Sequence, residues 1–286
     1  MSKCDVCFRH CNVPEGHTGF CGARKGAGGA VVPDNYGRIT SLALDHIEKK
    51  PLRRFHPGSM ILSVGSYGCN LRCPFCQNHE ISWSAEARRY AELAETVTPE
   101  ALVEAAVHLI REGNIGLAFT YNEPLIGWEF VRDAAKLAHQ AGLVNVLVTN
   151  GTAELPILEA LAPYIDAMNI DLKGFTERYY TDVLDGDLGM VKAFIARAVQ
   201  LCHVELTTLI VPDENDSEQE IRALSTWVAG LTSLDKKELG PDVPLHISRF
   251  FPRFHMRDRR ATDIDSIYRL ADVAREKLKY VFTGNC

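Results

Sequence analysis

From Met60 onward, short apolar runs alternate with longer stretches in which apolar residues recur every three or four positions. The runs are Ile61–Val64, Ile115–Phe119, Val144–Val148, Ala167–Ile170, Val204–Ile210 and Leu245–Phe250. Their length and unbroken apolar character predict strands buried in a parallel sheet. The stretches between them, 99–111, 128–141, 155–161, 188–201 and 218–231, with 264–278 closing, predict helices. On the first of these Leu102, Ala105, Ala106 and Leu109 share a face; on the last Ile264, Ile267, Leu270, Ala271 and Ala274 do. Helix starts are marked by Thr98-Pro99-Glu100 and by Asn215-Asp216-Ser217 before Glu218. Strand–helix alternation of this kind predicts βα units. Six such units over residues 60–286 predict an α/β partial barrel, a (β/α)6 arrangement resembling three-quarters of a TIM barrel. Chemistry in such barrels sits at the C-terminal ends of the strands.

Residues 1–59 read differently and predict a small N-terminal extension. Cys4, Cys7, Cys11 and Cys21 follow the spacing C-x2-C-x3-C-x9-C, with Gly16, Gly19 and Gly22 supplying turns. Four thiolates so close in sequence can close a tetrahedral metal site, either Zn²⁺ or iron–sulfur. Metal binding would supply folding energy that so short a segment lacks. Two roles are open for it, an auxiliary cluster that passes electrons or anchors a substrate, and a structural knuckle. Val31 to Ile47 alternates loosely, which predicts a hairpin before the barrel.

Composition narrows the function classes. A formal charge of -6 argues against a general nucleic-acid binder. No apolar run approaches the roughly 20 residues that span a bilayer, and the opening Met1-Ser2-Lys3-Cys4 lacks the apolar stretch of a signal peptide. The expectation is a cytoplasmic protein with no membrane partner. In a reducing compartment nine cysteines point to metal ligation rather than disulfides. Cys202 is expected to be buried and inert, and Cys286 free at the terminus.

Three of the nine stand directly after the first apolar run, as Gly68-Cys69-Asn70-Leu71-Arg72-Cys73-Pro74-Phe75-Cys76-Gln77-Asn78. A loop curled by Gly68 and Pro74 can bring these thiolates to one soft metal centre. A four-iron cluster usually takes four cysteine ligands. Three leave one iron open, and an open coordination position distinguishes a catalytic site from a closed structural one. A zinc knuckle or a disulfide fragment is the structural alternative. The C-x3-C-x2-C spacing, with Phe75 before the third cysteine, resembles the radical S-adenosylmethionine (SAM) superfamily. That resemblance implies a [4Fe-4S] cluster on Cys69, Cys73 and Cys76 whose open iron chelates SAM. One electron then splits SAM to methionine and a 5′-deoxyadenosyl radical, which abstracts a hydrogen atom. The resemblance also places Phe75 and Asn78 beside the cofactor.

The other strand ends carry polar clusters. Thr120-Tyr121-Asn122-Glu123-Pro124 occupies the place of the superfamily's Gly-Gly-Glu motif, with Tyr121 and Asn122 replacing the glycines. The resemblance implies SAM contact from Tyr121, Asn122 and Glu123; the alternative for Glu123 is a first-turn carboxylate favoured by the helix dipole. Thr149-Asn150-Gly151 resembles the same place in glycyl-radical-enzyme activases such as pyruvate formate-lyase activating enzyme, with Val148 where those have an Asp. Period-two alternation puts Asn169, Asp171 and Lys173 on one inward face. Opposite charges in a barrel mouth need each other or a charged ligand, and zwitterionic SAM would satisfy both. Asp171-Leu172-Lys173 matches the activases as well. Val211 to Ser217 reads as a turn and helix cap, with Asp213 where the family commonly has Gly. In the sixth run Arg249 is the candidate for a carboxylate of SAM or substrate, and His246 reads equally as a core histidine.

Taken together, Cys4–Cys21, Cys69–Asn78, Asp171–Lys173 and His246–Pro252 resemble the activase-like group called AmmeMemoRadiSam. Its members usually continue past Asn285 into a tail with another Cys-x-x-Cys; this chain ends at Cys286. The activase resemblance implies a protein substrate, a glycyl radical enzyme, and a low-potential electron donor, flavodoxin or ferredoxin. A radical SAM enzyme acting on a small molecule, a peptide or another protein residue is the alternative, and a non-catalytic Fe–S or zinc scaffold a second one.

Overall fold

A computed structural model describes residues 1–286, the side chains of Arg88 and Tyr90 excepted. Among the described residues the main sheet has eight strands, in an order that follows the chain. These are β1 (Ser41–His46), β2 (Met60–Gly65), β3 (Asn114–Phe119), β4 (Val144–Thr149), β5 (Ala167–Asp171), β6 (His203–Ile210), β7 (Leu245–Arg249) and β8 (Val281–Gly284). Strands β2 to β8 are parallel neighbours, and β1 runs antiparallel to β2. No pairing among the described residues joins β1 to β8, so the sheet is open. Helices α1 (Pro99–His108), α2 (Trp128–Gln140), α3 (Leu155–Leu161), α4 (Leu188–Ala198), α5 (Glu218–Ala229) and α6 (Ile264–Arg275) connect consecutive parallel strands.

The six expected strands and six expected helices are all present. Thr98 caps α1 by accepting from the Ala101 amide at 3.2 Å, with Pro99 in the first turn; such a cap contributes about 1 kcal/mol. Two strands of the main sheet are additional. β8 is four residues long, too short for alternation to show. β1 lies within the segment expected to form a hairpin, and it is instead hydrogen-bonded along its length to β2. The observed hairpin falls earlier, Arg24–Ala27 with Ala30–Pro33.

The two faces of the sheet differ. Outward residues such as Leu62, Leu117, Leu147, Met168, Ile170, Leu206 and Ile247 pack under the helices as one large core. Inward residues toward the C-terminal end include Ser63, Asn169, Asp171, Thr207 and Ser248. At the N-terminal end, Ile61, Ala118, Val146 and Ala167 close around Ile47 and Leu52, so the segment leaving β1 forms a floor. Glu205 pins that floor, with its side chain fully buried: its carboxylate accepts from the amides of Arg53 and Arg54 at 3.0 and 2.8 Å and bonds His203 and His246 at 3.0 and 2.6 Å. His246 is thus the satisfied core histidine. Asn169 donates to the Pro51 carbonyl at 2.9 Å from the same level. Among the described residues the cavity within the sheet lies at the other end.

Candidate functional site

At the C-terminal ends of the strands a cavity of ≈ 300 Å³ opens, within the range of small-molecule sites. Cys69, Cys73 and Cys76 line it together. Local geometry explains how the loop brings them there. Gly68 has φ +89°, and an added Cβ would fall 2.6 Å from the Cys21 carbonyl and 2.7 Å from the Ala23 methyl. Only glycine fits. Asn122 holds the approach: its Oδ1 accepts from the Ser66 amide at 3.0 Å, and its Nδ2 donates to the carbonyls of Tyr67 and Gly68 at 3.1 and 3.2 Å.

Of the residues expected to hold a cofactor, Phe75, Asn78, Tyr121, Asn122, Glu123, Thr149, Asn150, Asp171 and Lys173 line the cavity with the cysteines. Arg249 does not, and the expectation for it is corrected. Its Nε donates to the Thr262 carbonyl at 2.6 Å, and its guanidinium lies 4.8 Å from the Phe251 ring centre. Alternation on β7 turns His246 and Ser248 inward and Arg249 away, and Ser248 is the residue that reaches the cavity.

Several expected ligands act by holding others. Glu123 is buried, and its carboxylate accepts from the Leu125 amide at 3.0 Å, the Thr149 hydroxyl at 2.7 Å and the Asn150 amide at 2.8 Å. It caps the short helix Pro124–Gly127 and ties the end of β3 to the end of β4. Burial pushes its carboxyl up, the three bonds pull it back only in part, and Asp171 raises it further, to about 7. Tyr121 has φ +73°, the left-handed backbone for which the family's glycine is suited; a side chain there costs on the order of 1–2 kcal/mol. Its hydroxyl donates to Asp45 at 2.9 Å, and Lys50 lies 4.8 Å from its ring centre. Those contacts hold the strained backbone, and the Tyr121 carbonyl accepts from Asn78 at 2.8 Å. Asn150 donates to Asn70 at 3.0 Å and approaches Cys69 Sγ at 3.8 Å.

The charged pair is Asp171 and Lys173, 2.8 Å apart in the cavity wall. Burial alone would lower the Lys173 ammonium, but the charges of Asp171 and Cys73 hold it well above the ordinary lysine range. Asn215 fixes this turn by donating to the Lys173 carbonyl at 2.6 Å. Burial pushes the Cys73 thiol up to about 11 against the pull of Lys173, and raises Cys69 and Cys76 also. Soft thiols drawn up in this way give up their protons on binding a metal, and the set fits a cluster with one corner open to another ligand.

Gln77, Ser82, Thr120, Thr207, Leu209, Ser248 and Asn285 also line the cavity. Thr207 and Leu209 were accessible from alternation along β6, since Glu205, Thr207 and Leu209 share a face. Asn285 follows the short β8 and carries no sequence signal. The second cysteine set, Cys4, Cys7, Cys11 and Cys21, lines a separate small cavity beneath the triad loop. Among the described residues no three His, Cys, Asp or Glu side chains are arranged around a single ion; each cysteine set rings a cavity instead.

An open eight-stranded sheet, parallel but for β1, carries three thiols and an ion pair at its carboxyl rim, the layout of a cofactor-dependent enzyme. The radical SAM superfamily model matches residues 63–224, and the chain belongs to that superfamily. It is similar to an uncharacterized protein of Methanocaldococcus jannaschii, 39% identical over 99% of this chain and 81% of the relative. The pyruvate formate-lyase-activating enzyme of Clostridium pasteurianum is 25% identical over 74% of this chain and 89% of its own. Among solved structures, QueE from Escherichia coli shares the fold at a TM-score of 0.51 and 13% identity, covering 87% of this chain and 93% of that one. The family implies a [4Fe-4S] cluster, SAM and a reductant. No helix among the described residues is long and apolar enough to cross a membrane.

Proposed function

We propose that this radical SAM enzyme uses Cys69, Cys73 and Cys76 to hold the [4Fe-4S] cluster and directs the resulting radical at a glycine of a partner glycyl radical enzyme. The observation that carries the reading is one cavity in which three thiols face the Asp171–Lys173 pair at the rim of an open sheet. When bound, the cluster supplies the single electron that splits SAM. The chain supplies position. Lys173 offers a cation to a carboxylate and Asp171 an anion to an ammonium, which suits the amino-acid end of SAM. Thr149 and Asn150 are fixed by Glu123, and Phe75 is packed edge-on against Phe250 at 6.3 Å, which helps exclude water from the thiols. The likeness to an activating enzyme over three-quarters of the chain supports a protein substrate. A flavodoxin or ferredoxin would serve as electron donor.

The test is anaerobic reconstitution followed by reduction with dithionite. 5′-Deoxyadenosine should form from SAM, and Cys73→Ala should form none. Persistence of cleavage in that variant would refute the ligand assignment. Mixing with a candidate glycyl radical enzyme deuterated at glycine should give a glycyl radical signal and deuterated 5′-deoxyadenosine. Cleavage of SAM without either product would overturn the protein-substrate reading alone.

A further inference from the structure

Four cysteines outside the SAM site surround one cavity of their own, and three observations bear on what fills it. First, Cys4, Cys7, Cys11 and Cys21 line it together, the four thiols that an iron–sulfur cluster takes. Second, Arg24 lines the same cavity, is 4% exposed, and its Nε has no hydrogen-bond partner. The rest of that guanidinium is engaged, by Glu129 at 2.8 and 3.0 Å and by the Ile126 and Val31 carbonyls. A buried unpaired N–H is costly unless something accepts from it. The sulfide or thiolate of a negatively charged cluster is such an acceptor.

Third, the cavity is wired to the SAM site. The Cys69 amide donates to the Cys21 carbonyl at 3.2 Å, so one residue from each set shares a hydrogen bond. Asn70, which also lines the four-cysteine cavity, accepts from Asn150, whose Nδ2 approaches Cys69 Sγ at 3.8 Å. Arg9 and Arg72 brace the junction by donating to the Asn70 and Phe20 carbonyls at 2.9 and 2.6 Å. A structural knuckle needs no such continuity.

We propose that Cys4, Cys7, Cys11 and Cys21 hold an auxiliary iron–sulfur cluster that relays single electrons to the cluster on Cys69, Cys73 and Cys76. The role as relay rests on the radical SAM reading above. Each transfer is one electron: a low-potential one-electron donor, a reduced flavin or iron–sulfur protein, reduces the auxiliary cluster, which is reoxidised as the triad cluster is reduced. No atom moves.

The test uses the whole chain, reconstituted anaerobically with iron and sulfide in the presence of zinc. Wild type should hold about eight irons and the variant Cys69→Ala/Cys73→Ala/Cys76→Ala about four, without zinc. In the variant, reduction should give a paramagnetic signal that SAM leaves unchanged. In wild type, freeze-quenching after mixing with reduced ferredoxin should show the SAM-insensitive signal first, and the SAM-sensitive one growing as it declines. Zinc in the triple variant would overturn the cluster. Simultaneous growth of both signals, or the SAM-sensitive one leading, would overturn the relay. Absence of any SAM-sensitive signal in wild type, with four irons still in the quartet, would count against the radical SAM site and leave the auxiliary cluster standing without its relay role.

Discussion

Glu205 on the floor and Glu123 at the mouth are both buried inside the same half-barrel, and they are held in opposite ways. Burial pushes Glu205 up, but His203, His246 and the two arginine amides outweigh it and bring the carboxyl down to about 2. Glu123 has three donors, all uncharged, and Asp171 as a negative neighbour, and it stands near 7. The floor has therefore satisfied its charge from within the fold. At the mouth, donors are spent on shaping loops, while thiols and an ion pair are turned toward the cavity. Stability should depend on the first carboxylate and ligand binding on the surroundings of the second.

The largest effect expected is on the floor. Glu205→Ala removes the shared acceptor of two imidazoles and two amides and leaves the buried His246 without its partner, which should cost ~3–5 kcal/mol. For a domain of this size that is a fall in Tm of roughly 10 °C, measurable by calorimetry. The affinity of the remaining folded protein for SAM should be unchanged. A loss of affinity without loss of stability would erase the distinction between the two ends.

Acid titration tests the same group without removing its contacts. The folded value of Glu205 lies below the ordinary 4.5, so its contribution is present in full above that value and is lost as pH falls toward 2. The loss amounts to about 3 kcal/mol over that window. In Glu205→Gln this component should vanish, leaving a shallower decline in denaturant midpoint between pH 4.5 and 2. Equal slopes in the two proteins would mean that the floor carboxylate is not held as charged.

At the mouth, Lys173→Ala should lower Tm by less than Glu205→Ala does, because Asp171 is a third exposed to the cavity and Asn215 holds the turn through the Lys173 backbone. SAM affinity should fall about tenfold to a hundredfold, the worth of one charge-assisted bond, as read by equilibrium dialysis on reconstituted protein. Full affinity in the variant would show that the pair with Asp171 is only structural.

The sequence shows these two ends unequally. Strands β2 to β7 were legible because a strand covered on both faces reads as an unbroken apolar run, and Asp171 and Lys173 because a charge breaking such a run is conspicuous. The cysteine triad was legible from spacing alone. The floor was not, since Ile47 and Leu52 lie in a segment without period, and Glu205 sits in a strand where nothing local tells that four donors converge on it. Arg249 illustrates the converse. Its chemistry suited a carboxylate ligand, but one step of alternation turned it to Thr262 and gave Ser248 the cavity. Tyr121 and Asn122 departed from the glycines of the family motif, and the structure keeps the left-handed backbone by anchoring the tyrosine to Asp45 rather than by changing the path.

That last device points to the smallest effect, on another left-handed residue near the rim. Asp213 has φ +67° in the turn after β6, where the family commonly has Gly. Its carboxylate is 3.7 Å from Arg260, with both side chains largely exposed, so the ion pair contributes little. Nothing there corresponds to the anchoring of Tyr121. Asp213→Gly should therefore relieve backbone strain and raise stability by roughly 0.5 kcal/mol, the added freedom of the unfolded chain offsetting part of a 1 kcal/mol gain. Asn215 caps the turn independently by accepting from the Val211 amide at 2.7 Å, so SAM affinity should not move. Chemical denaturation of the two proteins side by side resolves a difference of this size. A destabilised variant would mean that Asp213 contributes a contact beyond its exposed pair with Arg260, and that the mouth is tied together by more than its loop backbone.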